Sequence, residues 1–529
     1  MNKKKSALYG IFIILVAIAF FLRLYNLDER VFHHDEAAMG YFTYQLFKDG
    51  VYSYNPSFHG PFIYYVTAGM FKIFGDSIFI ARLLPALLGA SMILFLIPLR
   101  QYIGDRGMVI SAFFLAFSPS FVYYSRFFRT DIFISFFYMA ILVCAVKYIE
   151  NKTGKFSVPG IMYLFFGAAG LASLTALKEN GYITVTLIAF FLFLVFARGK
   201  WYKGLFGKLK RQDKVVMITL AEGLFSILVL LVVFSLFYTG KPFDPAGMMD
   251  AVGSAVSHWV RMHEIERIGG PMYYYLPIMA LYELPVVVFG FAGIIHFYRK
   301  NNFLMTFLAY WALMNLLVYS YLQEKVPWLV LNPLLPLVII AGTYIGELVP
   351  QLRNGFRQKA GALIIIFLIL GSSYFMYSGV LLNYRNFTNP AEPLIQAAQP
   401  PQDFSGFIGK IEEISSQYDG KSTRIQVTDY GIETQFLWYL RHFDNVKWKV
   451  SLDAVFDAPL VVAHDTDGNR SEADIVRSRL RTDYERLDSA KMSWYFLKPA
   501  DVTLDFLLYR KIDREPGGYR IVLFYQPRV

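Results

Sequence analysis

Apolar residues in this chain arrive in runs of about 16–24, the length that crosses a hydrocarbon core of about 30 Å at 1.5 Å rise per helical residue. The runs fall at 7–25, 79–99, 108–123, 132–148, 159–177, 181–197, 215–238, 277–298, 303–322, 328–349 and 360–381, and no comparable run follows. The pattern predicts eleven transmembrane helices over residues 1–382 and a water-exposed domain over 383–529. Within the long first loop (26–77), the stretches 35–48 and 61–74 show helical spacing with aromatics on one face. Neither is long enough to span, which predicts helices lying in the membrane interface.

Beyond residue 383 the periodicity changes. TRIQVTD (423–429), VKWKVS (446–451), APLVVAHD (458–465) and YRIVLFYQ (519–526) read as short strands. Between them, 433–443 and 471–480 have helical spacing, so the expectation is a small α/β domain. It shows no glycine-rich phosphate loop and no metal-ligand spacing. No transporter-type internal repeat stands out along the chain.

Composition agrees: the 529 residues are 56% hydrophobic, with a formal net charge of +11. Charge also orients the helices. With Lys3, Lys4 and Lys5 on the cytoplasmic side, the segments 1–6, 100–107, 147–158, 198–214, 299–302 and 351–359 hold 20 Lys/Arg against 3 Asp/Glu. The opposite loops hold 10 against 13. This is the positive-inside bias. It predicts a multi-pass protein of the cytoplasmic membrane with its C-terminal domain outside, and it explains the basic balance through membrane lipids. A nucleic-acid partner is not expected, because the basic residues form no single soluble patch. The first apolar run lacks an A-x-A-like cleavage site and reads as a retained helix. The lone cysteine, Cys144, leaves neither disulfides nor a thiolate metal site.

Ionisable residues beside a membrane core call for a functional reading, and here they gather at the outer ends of the helices. They include His33-His34-Asp35-Glu36, then His59 before Gly60-Pro61, then Arg126, Arg129 and Asp131 in SRFFRTD. Lys178-Glu179-Asn180 and Gln323-Glu324-Lys325 follow, and a long loop carries His258 and His263. Two carboxylates with nearby histidines can supply a general base. Lys and Arg can hold phosphate oxygens and stabilise a leaving lipid phosphate. Each residue also has a plainer use: Asp35-Glu36 can cap a helix, Arg126 and Arg129 can snorkel, and the Lys-Glu neighbours can be ion pairs.

Asp35-Glu36, His59-Gly60-Pro61, Ala81-Arg82-Leu83, SRFFRTD and Lys178-Glu179, in that order, resemble the GT-C membrane glycosyltransferases. The resemblance is to the protein O-mannosyltransferase and lipid A aminoarabinose transferase superfamily. Within it the chain looks most like the prokaryotic flippase-activity-associated branch of glycan assembly clusters. The resemblance is best over residues 1–200. It implies an inverting transfer from a polyprenyl-phosphate-linked sugar donor, at the outer membrane face, to a protein, lipid or glycan acceptor. Asp35 would be the catalytic base, with Glu36 supporting it. Arg126, Arg129, Asp131, Lys178 and Lys325 would line the donor-phosphate region. His59 stands where relatives bind a divalent metal, with His258 or His263 as partner. The chain departs from the aminoarabinose transferases, which carry Glu-Lys-Pro-Pro where it has His59-Gly60-Pro61, and it lacks the β-trefoil of eukaryotic protein mannosyltransferases. The rival readings are a lipid-linked glycan flippase or its accessory subunit, which would need a polar path across the bilayer, and a binding module that has lost activity.

Overall fold

The computed structural model describes all residues except 1–2, 53, 153–154, 198–212, 265–269, 323–324, 356–358, 396–398, 429, 467–470, 482, 490 and 528–529. Most of the basic stretch 198–214, and Gln323 and Glu324, therefore lie outside the described residues.

The chain forms two compact units. The first comprises Met1–Tyr25, Tyr52–Val66 and Leu83–Val380. Among the described residues of the chain, nine helices are long and apolar enough to cross a membrane. One of these, Ile78–Phe117, is 40 residues long and leaves helical geometry at Gly104 (φ 74°, ψ 160°). That conformation is costly for any residue with a Cβ. The break splits the run into the second and third expected spans. The span expected at 181–197 is the shorter apolar helix Asn180–Ala197. Eleven apolar segments and nine long helices thus describe one arrangement.

Pro327–Pro350 is the central span, 94% of its most apolar window buried, whereas only 22% is buried in Lys5–Leu24, Met217–Thr239 and Gly361–Arg385. Between helices already surrounded by lipid, small residues decide how closely backbones pack. Gly342 and Gly346 meet Ser111 and Gly107 so closely that a Cβ on Gly346 would lie 2.7 Å from the Gly107 nitrogen. Two spans are interrupted at the same place. One helix ends at Phe117 and the next starts at Pro119, while Tyr275–Arg299 leaves helical geometry at Glu283, just before Pro285. The buried Glu283 carboxylate closes this gap. It accepts from Ser118 Oγ at 2.6 Å and the Ser120 nitrogen at 3.1 Å, so the freed backbone group stays paired inside the bundle.

The second unit comprises Asn26–Val51, Thr67–Arg82 and Leu381–Val529. Its C-terminal part begins at Leu381, and two parts of the first loop join it. Its mixed sheet has the order β2-β1-β3-β6-β4. The strands are Ile425–Val427 (β1), Val446–Lys447 (β2), Leu460–Thr466 (β3), Glu485–Asp488 (β4), Met492–Trp494 (β5) and Gly517–Tyr525 (β6). β1 runs parallel to β2 and β3, β6 is antiparallel to β3 and β4, and β5 also pairs with β6. All four expected strands and both expected helices form. The helix Phe404–Ser416, absent from the strand-centred expectation, lays Phe404, Phe407, Ile408, Ile411 and Ile414 on the core beneath β1, β3 and β6.

Both expected loop helices form, as His34–Asp49 and Phe62–Phe74. The face of the first of them is covered by protein: Gly40 lies against the Trp438 ring, where a Cβ would come within 2.8 Å of Cε3. Trp438 also packs on Phe32 and Phe71, with ring centroids 5.0 and 6.0 Å apart. Arg441 stacks over Trp438 at 3.6 Å and donates to Asp76 Oδ2 at 2.7 Å.

Candidate functional site

In the first unit, the polar groups assemble around one turn. The helix Val158–Thr175 ends and Asn180–Ala197 begins five residues later. Onto this turn docks the segment 59–62. Gly60 N–H donates to the Leu177 carbonyl and Phe62 N–H to the Ala176 carbonyl, each at 3.0 Å. A Cβ on Gly60 would stand 2.1 Å from the Ala176 oxygen, which only glycine avoids. His59, at φ 69°, sits in the strained left-handed region, and its ring is thereby delivered to Glu179. Nδ1 lies 3.4 Å from Glu179 Oε2.

From His59 the contacts run on without interruption. Arg129 Nη2 lies 3.4 Å from His59 Nε2, Arg129 Nε donates to Asp131 Oδ2 at 3.1 Å, and Lys178 Nζ is 3.8 Å from Asp131 Oδ1. Trp328 forms the floor: the Arg129 guanidinium carbon is 3.5 Å, and Lys178 Nζ 5.8 Å, from its ring centroid. Arg129, Asp131, Lys178 and Glu179 are all buried. Burial opposes ionisation of Glu179, but the hydrogen bond and charge of His59, its own backbone N–H and Lys178 outweigh it and hold the carboxyl below its ordinary range. Among the described residues, Asp131 Oδ1 accepts no hydrogen bond, the Lys178 ammonium standing 3.8 Å away. A buried carboxylate oxygen without a donor is costly and marks a place where a hydroxyl or a proton would be welcome.

Four predicted residues (His59, Arg129, Asp131 and Lys178) therefore meet, joined by Glu179 and Trp328. Trp328 closes the segment Gln323-Glu324-Lys325-Val326-Pro327-Trp328 at the outer helix ends but carries no role in the sequence reading; its place right after the Lys325-Val326-Pro327 turn is the available signal. Arg126 and Lys325 are occupied differently. Arg126 Nη1 donates to the carbonyls of Leu22, Arg23 and Tyr25, at 3.2, 3.2 and 2.6 Å, closing the end of the first helix. Lys325 Nζ donates to the Ser320 carbonyl at 2.6 Å and to that of Leu322, at the end of Phe303–Tyr321. Burial lowers the Lys325 pKa. Cations at helix C-termini complement the macrodipole, so both residues have a structural use.

Among the described residues, no three His, Cys, Asp or Glu side chains converge as a metal site. The contact of His59 Nε2 with the Arg129 guanidinium sets a fixed cation where a second ligand or ion would approach. Beside that cation, the described residues offer no ligand set for a divalent ion. His258 lies on Pro245–Glu264, and the side chain of His263 lies outside the described residues.

In the second unit, the adjacent carboxylates Asp35 and Glu36 have separate surroundings. His33 caps the helix His34–Asp49: its Nδ1 accepts from the Asp35 N–H at 3.1 Å, and Glu36 Oε2 accepts from the His33 N–H at 3.1 Å. This is a reciprocal capping box. Glu36 is fully buried, gripped by Arg82 through Nε at 2.8 Å and Nη2 at 2.7 Å, with Arg30 at 3.1 Å. Arg82 fixes the incoming loop as well, donating to the carbonyls of Leu27 and Arg30 at 3.1 and 2.7 Å. The Asp35 side chain is 31% exposed, with His34 Nδ1 3.3 Å away. The Asp35 side chain is thus partly exposed, while Glu36 anchors the helix that carries it.

Residues 58–207 match the family model of dolichyl-phosphate-mannose-protein mannosyltransferases. No curated protein matches. Among solved structures, ArnT from Cupriavidus metallidurans is similar in its apo state, with a TM-score of 0.58, 14% identity and 98% of each chain covered. Its undecaprenyl-phosphate complex gives 0.52 at 15% identity, covering 97% of this chain and 98% of that one. The archaeal oligosaccharyltransferase AglB from Archaeoglobus fulgidus, with an inhibitory peptide and a dolichol-phosphate, gives 0.56 at 14% identity. That likeness covers 85% of this chain, which spans only 65% of AglB.

Proposed function

We propose that this chain, whose fold is that of the GT-C membrane glycosyltransferases, transfers a sugar from a polyprenyl-phosphate-linked donor to a protein, lipid or glycan acceptor. The observation that carries the reading is the pairing of Arg129 and Lys178 over Trp328, beside an Asp131 oxygen that accepts no hydrogen bond among the described residues. Two cations with an apolar floor suit a phosphate joined to a hydrocarbon chain. Arg129 can present two N–H groups to its oxygens. The solved relatives with dolichol-phosphate or undecaprenyl phosphate bound support the same ligand class.

The step balances as a direct displacement. An acceptor hydroxyl or amine attacks the anomeric carbon and passes its proton to Asp35. The bond from that carbon to the phosphate oxygen breaks, and its electron pair leaves on the polyprenyl phosphate. Configuration at the carbon inverts. The charge that develops on the departing phosphate is met by Arg129 and Lys178, which are already in place and spend no free energy reorganising. The charge bias of the loops supports placing the reaction at the outer face of a prokaryotic cytoplasmic membrane, with the C-terminal residues outside.

Transfer by the purified protein in lipid nanodiscs tests the reading, using a panel of radiolabelled polyprenyl-phosphate sugars with a host membrane-and-protein extract. Label should move to an acceptor with the native chain and not with Asp35→Asn. Equal transfer by both forms would remove Asp35 as the base. Donor binding without any transfer would favour a flippase or flippase-associated role.

A further inference from the structure

The turn between the second and third spans builds a second site that the transfer reaction does not use. Around Gly104 lies a cavity of about 560 Å³, lined among others by Lys5, Asp105, Arg106, Thr343 and Glu347. It is separated along the chain from the SRFFRTD turn by the whole third span, so it belongs to the other end of the helices. Glycines hollow it out. A Cβ on Gly104 would meet nothing within 4 Å, whereas Gly107 and Gly346 let the flanking helices touch behind it.

Its charges do not cancel. Asp105 is already neutralised by Arg100 at 3.1 Å, and Glu347 by Lys300 at 2.6 Å and His296 at 2.9 Å. Lys5 and Arg106 also line the cavity, are exposed, and have no ion-pair or hydrogen-bond partner among the described residues. The local excess is therefore positive and unspent. Beside the cavity, on the same two helices, Leu94, Ile97, Ile11 and Ile14 point outward, 43–59% exposed, as side chains facing hydrocarbon do. A hole with two free cations at the edge of a lipid-facing surface suits a headgroup whose acyl chains run down that surface.

We propose that this cavity seats the phosphate of an anionic phospholipid, held by Lys5 and Arg106. The same two cations would also take free inorganic phosphate, so the shared chemistry is a phosphate group and the test separates the sources. It stands apart from the glycosyl-transfer reading and survives the loss of that reading.

The experiment is native mass spectrometry of the full chain released from nanodiscs of phosphatidylcholine, with and without phosphatidylglycerol. The comparison is with Lys5→Gln/Arg106→Gln and with the control Lys155→Gln, an exposed lysine elsewhere. Phosphatidylglycerol should remain bound to the native chain and the control, and its retention should fall about tenfold in the double variant. Parallel thermal unfolding in detergent with inorganic phosphate alone reports the other source. A rise in midpoint that vanishes in the double variant would assign the site to soluble phosphate. Equal lipid retention by all three chains, with no phosphate effect, would overturn the proposal. Both substituted residues are exposed, and size-exclusion profiles identical to the native chain establish that the double variant is folded.

Discussion

The guanidinium of Arg129 lies flat enough on Trp328 that its central carbon is 3.5 Å from the ring centroid, while its edge reaches Asp131 and His59. A stacked cation of this kind is held in orientation without using up its N–H donors, and a Lys ammonium in its place would keep the charge but lose the fork. Arg129→Lys should therefore weaken donor binding by about tenfold. Trp328→Leu should cost about 1–2 kcal/mol of the same binding, the range for a desolvated cation–π contact. Titration with a polyprenyl phosphate, followed by calorimetry in detergent, measures both. Unchanged affinity in Arg129→Lys would remove the bidentate role.

Asp35 and Glu36, neighbours in sequence, should separate cleanly on substitution. Asp35→Asn should leave thermal stability close to native and abolish transfer. Glu36→Ala leaves Arg82 and Arg30 buried without their partner, which costs about 3–5 kcal/mol. The thermal midpoint should drop markedly for the second and not for the first. Equal midpoints would mean that the buried pair contributes little to this fold.

Gly60→Ala asks whether the docked turn matters. Its Cβ would strike the Ala176 carbonyl, and both partners are backbone, so neither can rotate away. The segment must lift, and His59 loses Glu179. We expect a rise in KM for the donor well above any change in kcat. Gly69→Ala, where a Cβ meets nothing within 4 Å, serves as the matched control and should behave as the native chain does.

Much of the first unit was legible because bilayer thickness imposes a length on every span, and a length is easy to read. The order Asp35-Glu36, His59-Gly60-Pro61, SRFFRTD, Lys178-Glu179 was legible too, since loops between spans have little freedom to carry charge without a use. Which residue of a pair does what was not. Arg126 and Arg129 look alike in sequence, yet the first caps a helix and the second stacks on Trp328, because a single turn of backbone points them to different neighbours. Glu36 and Asp35 differ in the same way. The partnership of Gly40 with Trp438 left no local trace at all, because nothing within a few residues of either one signals the other.

A pH response should come from His442 in the second unit. Burial, then the charge of Arg441, lowers its pKa below the ordinary 6.5, against the opposing pull of Asp76. Lys421 adds to the lowering, and the Tyr44 hydroxyl faces the ring at 3.4 Å from Nδ1. A group with a lowered folded pKa is protonated first in the unfolded chain. Stability is therefore lost as pH falls through the unfolded value, toward the folded one. The midpoint should drop between about pH 7.5 and pH 5.5, and His442→Gln should flatten that slope. An identical slope in the variant would assign the response to other groups.

The second unit draws its first helix from residues 34–49 and the aromatic wedge that fills it from residue 438. A ribosome delivers those two pieces far apart in time. At about 5–20 residues per second, the loop after the first span waits tens of seconds for its partner, with the Gly40 face bare and the Arg30–Glu36–Arg82 cluster unsealed. Closing so long a loop also carries an entropic cost that no nearby contact relieves. Biogenesis of this chain should then contain a late, C-terminus-dependent step in which a protease-sensitive first loop becomes resistant. A nascent chain stopped before residue 438 should insert its spans and still be cut there.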